Sequence, residues 1–262
     1  MKRIIGLLAL AAMLALPSPA FAGGQPGPYA ALKFIYGFTQ MNGMKAGGTH
    51  QHPAYDGFSA KVGNKTGSAF GGALAVGYDF NGNFGVPVRA ELEYAVFSEV
   101  RGKRNAFMRY PTDDPTHKLF GNAEQRIQAQ TLFVNACYDF HNDTAFTPYL
   151  GLGLGLAFLR SKGSFAFDIP GADPHEYAGF SLGAKTRTNF AWNIGAGLAY
   201  DMGGNVALDF GYRFAGLGKA ETRAGAGRNT NTDFEGPELV TAGARTKNVY
   251  MHQVALGLRF GF

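Results

Sequence analysis

Charged residues of both signs recur at every second position in two otherwise apolar segments. One segment carries Arg89, Glu91 and Glu93, and the other carries Asp209 and Arg213. Residues two apart on a β-strand share a face, so each segment would place its charges together on one side. Because a buried charge requires a partner, the pattern predicts salt bridges inside a β-structure. The alternative is a water-filled channel with a weakly selective charged lining.

Eight segments alternate apolar and other residues with a period of two, and this pattern predicts eight β-strands. Each segment is long enough to cross a bilayer at a tilt, which requires roughly 9–11 residues. The predicted strands cover residues 29–40, 68–80, 86–98, 127–140, 149–160, 188–201, 206–215 and 248–262.

Short and long connections alternate between these strands. The short ones contain the turn-forming sequences Asn81-Gly82-Asn83, His141-Asn142-Asp143 and Gly203-Gly204-Asn205. The long ones cover residues 41–67, 99–126, 161–187 and 216–247. This alternation is typical of outer-membrane barrels, whereas a soluble β-sandwich gives no reason for it. We therefore predict an all-β fold: an eight-stranded antiparallel up-and-down transmembrane β-barrel with four long extracellular loops and short periplasmic turns.

The N-terminal residues have the composition of a secretory signal peptide. Lys2 and Arg3 precede the apolar residues 4–16, and residues 20–22, Ala-Phe-Ala, supply the small residues of a cleavage site. We expect residues 1–22 to be removed and residues 23–262 to form one outer-membrane β-barrel domain.

The last predicted strand has one apolar face, with Val254, Leu256, Leu258, Phe260 and Phe262 at alternate positions. An exposed apolar face of this length is typical of a closing strand that meets lipid. Its residues Leu258, Phe260 and Phe262 resemble the signal that the barrel-assembly machinery recognises. We therefore expect export through the periplasm and a location among outer-membrane lipids.

The composition fits this location and excludes other classes. Charged residues make up 16% of the chain, against roughly 25% in soluble domains. The formal net charge of +5 is too small to indicate nucleic-acid binding. The one cysteine, Cys137, excludes an internal disulfide. It falls on an inward position of a predicted strand, where we expect a small buried filler.

The alternation assigns further charged residues to the inside of the barrel. Lys33 and Arg259 fall on inward positions of the first and last strands, while inward Gly and Ala residues elsewhere leave room for long side chains. The predicted luminal charge network consists of Lys33, Arg89, Glu91, Glu93, Asp209, Arg213 and Arg259. Because eight strands enclose little more than side-chain volume, we favour a plug over a narrow pore for small solutes.

Three predicted strands end in similar tripeptides, Tyr78-Asp79-Phe80, Tyr138-Asp139-Phe140 and Tyr200-Asp201-Met202. Each Tyr would face the membrane interface, and each Asp would face inward beside a periplasmic turn. Together with residues 208–214 and Phe262, these strand ends resemble those of the neisserial opacity proteins and related surface antigens, and more distantly the transmembrane domain of outer membrane protein A. The resemblance implies a barrel whose loops act in adhesion, antigenic display or envelope support, with a host or matrix ligand as partner.

The second long connection is basic. Arg101, Lys103, Arg104 and Arg109 would lie at the outer rim, where cations can contact the phosphates of lipopolysaccharide. The alternative is an ordinary solvated loop.

Two arrangements of histidine could indicate an enzyme or a metal site, and we discount both. His252 faces outward between Tyr250 and Val254, so no serine accompanies it along that strand. A lipid-modifying enzyme is therefore the least favoured function. His50 and His52 lack a third ligand nearby, and we predict no metal, cofactor or catalytic residue.

Overall fold

The computed structural model describes residues 27–49, 58–109, 118–168, 177–223, 225–226 and 241–262. No helix in these ranges is long and apolar enough to cross a membrane. The elements are β1 (Pro28–Thr49), β2 (Phe58–Asp79), the helical turn α1 (Asn81–Phe84), β3 (Val88–Phe97), β4 (Val100–Arg109), β5 (Lys118–Asp139), β6 (Phe146–Asp168), β7 (Tyr177–Asp201), β8 (Val206–Glu221), β9 (Gly225–Ala226) and β10 (Thr241–Gly261).

The strands form one closed antiparallel sheet. Neighbours in the chain pair with one another, and β1 also pairs with β10 along nearly its whole length. β3 and β4 follow one another along β5 and together occupy one position in the ring. β9 pairs with only two residues of β10. The ring therefore has eight strand positions, which confirms the predicted up-and-down barrel.

The outward face of the barrel carries a continuous apolar band. On β6, Leu150, Leu152, Leu154 and Leu156 are 41–59% exposed, and small residues occupy the inward positions between them. Aromatic rings lie 4.9–5.0 Å apart near the short turns, in the pairs Tyr78–Phe80, Tyr138–Phe140 and Phe146–Tyr200. An apolar band with an aromatic girdle matches the hydrocarbon region of a bilayer and its interface.

The strands extend well past this band on the side opposite the short turns. β1 continues to Thr49, and β2 begins at Phe58. The strands therefore occupy most of the described part of the four long connections, and the predicted strand ends at this rim lie too close to the membrane. We call the protruding part the extension, which comprises residues 41–49, 58–69, 100–109, 118–129, 159–168, 177–189, 217–223 and 241–249.

The strands of the extension pair in two sets, which we call its layers. The β2–β3 ladder ends at Gly71 and Phe97, and the β7–β8 ladder ends at Trp192 and Gly216. Beyond these points one layer consists of β8, β10, β1 and β2, and the other consists of β4, β5, β6 and β7. The buried side chains between the layers include Met44, Ala46, Val100, Ile127, Leu182 and Ala244. The layers touch where Thr246 of β10 donates a hydrogen bond to Gln125 of β5 at 2.9 Å.

The first short turn also differs from its prediction. Residues 81–84 form a helical turn, which the backbone N–H of Gly85 closes by donating to the Asn81 carbonyl at 2.8 Å. Gly85 has a φ of 64°, a left-handed conformation that glycine adopts without strain. The third strand therefore begins at Val88 rather than at Val86.

Candidate functional site

Alternate residues of β3 bring two carboxylates into the lumen beside a lysine from β1. The Lys33 ammonium lies 2.5 Å from Glu91 and 2.8 Å from Glu93. Glu93 is fully buried, and Glu91 is nearly so. Because both carboxylates face one cation, Glu93 needs a second positive partner.

Arg213 of β8 supplies that partner from the opposite wall. Its Nη1 lies 2.6 Å from Glu93 Oε1, and its Nε donates a hydrogen bond to the Gln253 side chain. The guanidinium also lies 5.8 Å from the centre of the Phe133 ring. The ion pair therefore spans the lumen and is fixed on two further sides.

A second set of ion pairs lies closer to the short turns. Arg89 makes a bidentate contact with Asp139, at 2.6 and 2.8 Å, and its Nη1 lies 4.0 Å from Asp209. Arg259 lies 3.6 Å from the same aspartate. The Arg89 guanidinium also lies 5.0 Å from the Tyr149 ring centre. Paired ions of this geometry satisfy one another inside a low-dielectric lumen.

All seven residues of the predicted network therefore take part in luminal ion pairs. Sequence reasoning placed Asp139 inward but missed its role as the partner of Arg89. Its counterparts in the repeated tripeptides do something else, because Asp79 and Asp201 each accept a hydrogen bond at 2.9 Å from the backbone N–H two residues later. Three similar strand ends thus serve two different purposes.

Glycines make room for this network, as predicted. The Asn193 amide donates to Asn135 at 3.0 Å directly over Gly153, where a side chain would collide with both. Gly195 lies against Arg213, and Gly197 lies beneath the ring of Tyr149.

An apolar layer of side chains lies in the lumen between the charges and the extension. Its fully buried side chains include Ile35, Phe97, Phe133, Leu159, Leu217 and Met251. Sequence reasoning missed this layer. Phe133 lies between Leu132 and Val134, so a run of three apolar residues hides the alternation that would have assigned it inward.

The cavities within the described part of the barrel include two that lie along the lumen. A cavity of about 80 Å³ lies among the ion pairs and is lined by Cys137 and Gly151, among others. Another of about 310 Å³ opens at the end with the short turns, where its polar lining includes Asp79, His141 and Asp201. Of these two cavities, the one among the ion pairs is therefore the smaller, and the one at the mouth is the larger.

Carboxylates of the extension each lie close to several basic side chains. Glu221 lies 2.6 Å from Lys185, 3.0 Å from Arg187 and 3.7 Å from Arg245. The hydrogen bond from Lys185, with the neighbouring positive charges, lowers the pKa of Glu221 below its ordinary value. These contacts link β7, β8 and β10 where the β7–β8 ladder has ended.

A similar cluster lies on the layer formed by β4, β5, β6 and β7. Partial burial opposes ionisation of Glu124, but the hydrogen bond and charge of Arg126 outweigh it and lower the pKa of Glu124. Glu99 lies 2.8 Å from Lys162 and 3.8 Å from both Arg101 and Arg126.

The residues predicted to contact lipopolysaccharide lie in β4, not in a loop. Arg101 is exposed near Glu99, and Lys103 is exposed with its ammonium 3.7 Å from Glu124. Arg104 and Arg109 belong to the same strand, but their side chains lie outside the described part of the structure.

His252 contacts a tyrosine and a glutamine on the lipid-facing wall. Its Nδ1 lies 2.7 Å from the Tyr212 hydroxyl, and its Nε2 lies 3.1 Å from the Gln40 amide nitrogen. Both ring nitrogens are occupied by these partners, whereas a serine hydrolase requires its histidine to face a serine. Among the described residues, no group of three or more acidic, His or Cys side chains could hold a metal ion.

The remaining predicted sites lie at the ends of the chain and in its connections. Leu258 and Phe260 face outward on β10, and the Phe262 N–H donates to the Pro28 carbonyl at 3.0 Å. Their role as an assembly signal stays a prediction. Residues 1–22, His50 and His52 lie outside the described residues.

A closed antiparallel sheet with an apolar outer band and paired charges inside defines a transmembrane β-barrel. The sequence family described as outer membrane protein beta-barrel domain matches residues 8–262. The chain belongs to this family and is a protein of the outer membrane.

Three known proteins illustrate what this chain is similar to. Outer membrane protein PagN of Salmonella typhimurium is 31% identical over 206 residues, which cover 78% of this chain and 77% of PagN. A putative adhesin of Rickettsia conorii is 26% identical over 130 residues, covering 50% of this chain and 47% of that relative. The crystal structure of the outer membrane protein OprG from Pseudomonas aeruginosa matches with a TM-score of 0.44 and 14% identity, covering 92% of this chain and 99% of OprG.

Proposed function

We propose that this protein is a surface adhesin, in which the barrel is an anchor and the extension, together with the segments that connect its strands, carries a binding surface for a host or matrix ligand. The observation that carries the proposal is the filled lumen. Phe133 and Glu93 are fully buried at its centre. Packed side chains therefore occupy the interior through which a solute would have to pass. The exposed polar surface outside the membrane is therefore where the protein can bind a ligand.

The extension has the properties of a binding surface. Its paired strands continue well beyond the apolar band, and Arg101, Lys103 and Arg245 are 64–75% exposed. A folded surface with exposed cations suits an anionic ligand, because opposite charges on the two partners attract one another. The name of the Rickettsia relative, a putative adhesin, supports the same function.

Catalysis is not part of this proposal. The partners of His252 are Tyr212 and Gln40, which can hold the ring but do not supply a nucleophile of the serine type. We also propose that the barrel-assembly machinery recognises Leu258, Phe260 and Phe262 during insertion.

Attachment of cells that display the protein tests the proposal. The segments that connect the extended strands, residues 50–57, 110–117, 169–176 and 227–240, are each replaced by short Gly-Ser linkers. We expect the intact protein to increase attachment to epithelial cells or matrix, and the shortened protein to lose that increase. A control replaces residues 141–145, at the opposite rim, in the same way and keeps attachment.

Conductance of the purified protein in a planar bilayer tests the main alternative. We expect no steady single-channel openings. Reproducible openings, together with attachment that does not depend on the four segments, would overturn the proposal in favour of a narrow pore lined by Lys33, Glu93 and Arg213.

A further inference from the structure

Three lysines form one band on the outer surface, just beyond the apolar wall. Lys247 lies on β10, between Lys219 of β8 and Lys45 of β1, because β8 and β1 both pair with β10. All three are exposed, and within the described chain none of them makes an ion pair. In contrast, Lys162 and Lys185 each lie within 2.8 Å of a glutamate.

The backbone is shaped to hold this band. The β1–β2 register shifts between Met41 and Met44, and the β10–β8 register shifts between Thr246 and Val249, at the same height. Gly43 has a φ of 66° at the first bulge, and the Lys247 stem packs flat over it. A side chain at position 43 would displace that lysine. Since adjacent strands lie about 4.8 Å apart, the three ammonium groups can reach one anionic group.

A hydrogen-bonded polar group lies directly below the lysines on the same three strands. It consists of Tyr212, His252 and Gln40, all on lipid-facing positions. When the Gln40 amide donates to Nε2 of His252, Nδ1 carries the proton and donates to the Tyr212 oxygen. The Tyr212 hydroxyl hydrogen is then free to donate outward, to a carbonyl or phosphate oxygen.

Apolar side chains continue the series toward the membrane centre. Phe34 of β1, Leu256 of β10 and Phe210 of β8 are 49–56% exposed to the lipid side. From outside to inside, the three strands thus present cations, then hydrogen-bond donors, then apolar surface. A phosphorylated lipid has the complementary order of phosphate, carbonyl or hydroxyl groups, and acyl chains.

We propose that this face of β8, β10 and β1 binds lipopolysaccharide through the phosphorylated lipid A part of the molecule. Lys45, Lys219 and Lys247 contact the phosphate, Tyr212 donates to the adjoining polar region, and the apolar wall packs on the acyl chains. The site lies away from Arg101 and Lys103 on β4, so it differs from the contact predicted from the sequence.

Trp192 provides the measurement. It is the one tryptophan of the chain, lies 37% exposed on β7, and its indole packs over Gly216 at the edge of the proposed site. The protein is reconstituted in phosphatidylcholine vesicles that contain a few per cent of diphosphoryl lipid A with brominated acyl chains. We expect brominated lipid A to quench the fluorescence of Trp192 more strongly than brominated phosphatidylcholine does at the same fraction.

Matched variants locate the binding. Replacing Lys45, Lys219 and Lys247 together by Gln should raise the lipid A concentration at half-maximal quenching by at least about ten-fold, since each lysine adds to the attraction of an anionic surface. Replacing Arg101, Lys103 and Lys162 by Gln removes the same charge from the other side of the barrel and should leave quenching unchanged. Tyr212→Phe should weaken binding by about two- to five-fold, through the loss of one hydroxyl.

Each other outcome overturns the proposal. Excess quenching that survives the first triple substitution, or that disappears only with the second, would show that this face does not hold the lipid. Equal quenching by brominated lipid A and brominated phosphatidylcholine would show that no specific site exists. Folding of every variant is checked by its heat-dependent migration in gel electrophoresis.

Discussion

Glu93 and Arg213 meet across the lumen, with their side chains 2.6 Å apart, although β3 and β8 lie on opposite walls of the barrel. Lys33 reaches the same carboxylate at 2.8 Å from a third strand. One buried glutamate therefore ties three strand positions together. Such a contact resists opening of the barrel as well as unfolding, since breaking it leaves charges unpaired in a site with little water.

The first prediction concerns this ion pair. Arg213→Met leaves the buried Glu93 with one cation, so the free energy of unfolding should fall by about 3–5 kcal/mol. Urea unfolding in lipid vesicles measures the loss. Arg101→Met removes an exposed arginine and should change stability by less than about 0.5 kcal/mol. If both variants were equally stable, the network would not hold the barrel closed.

The second prediction concerns the apolar layer. Phe133→Ala removes a fully buried ring from the centre of the lumen. The variant should lose about 3–5 kcal/mol of unfolding free energy. It should also show brief openings in a planar bilayer, where we expect none from the wild-type protein. Val134→Ala changes the neighbouring residue on the lipid-facing side and should stay silent. Silence of both variants would mean that Phe133 is not what closes the lumen.

The sequence predicts the membrane-spanning part of each strand well, because residues of the two faces differ there in polarity. The predicted strand ends are wrong where a β-bulge shifts the register. Register shifts occur between Met41 and Met44 on β1 and between Ser161 and Gly163 on β6, close to the predicted ends at residues 40 and 160. An extra residue reverses the alternation, so a period-two pattern ends there although the strand continues.

The sequence predicts which charged residues face the lumen, but it does not predict which of them pair with one another. Arg89 and Asp139 both fall on inward positions, yet only the register that sets Arg89 opposite Cys137 brings the two together. Pairing partners depend on such contacts between strands distant in sequence, which one chain's pattern does not encode. Two-layer packing of the extension likewise arises from tertiary contacts, such as that between Gln125 and Thr246.

The third prediction separates the repeated aspartates. Asp139→Ala leaves Arg89 without its bidentate partner and should cost about 3–5 kcal/mol. Asp79→Ala and Asp201→Ala each remove only a turn hydrogen bond and should cost about 0.5–1.5 kcal/mol. Urea midpoints of the three variants under one condition provide the comparison. Equal losses would mean that the three tripeptides are equivalent, contrary to their contacts.

The fourth prediction concerns the acid sensitivity of the extension. Because the hydrogen bond from Lys185 and the contacts with Arg187 lower the pKa of Glu221 in the folded protein, its carboxylate stabilises the fold at a pH above its ordinary pKa of 4.5. This contribution is lost as the pH falls below 4.5 and through the lower, folded-state pKa. Hydrogen exchange of residues 181–187 and 241–246 should therefore become less protected at pH 3–4 than at pH 7, after correction for the intrinsic rate.

Substitution separates this effect from general acid sensitivity. Glu221→Gln cannot be titrated, so the corrected protection of both segments should be lower than wild type at pH 7 and nearly independent of pH. Asp143→Asn, at an exposed turn on the opposite rim, should retain the wild-type profile. A wild-type profile in Glu221→Gln would assign the acid sensitivity to other groups, because the carboxylate that joins β7, β8 and β10 would then contribute nothing to holding them together.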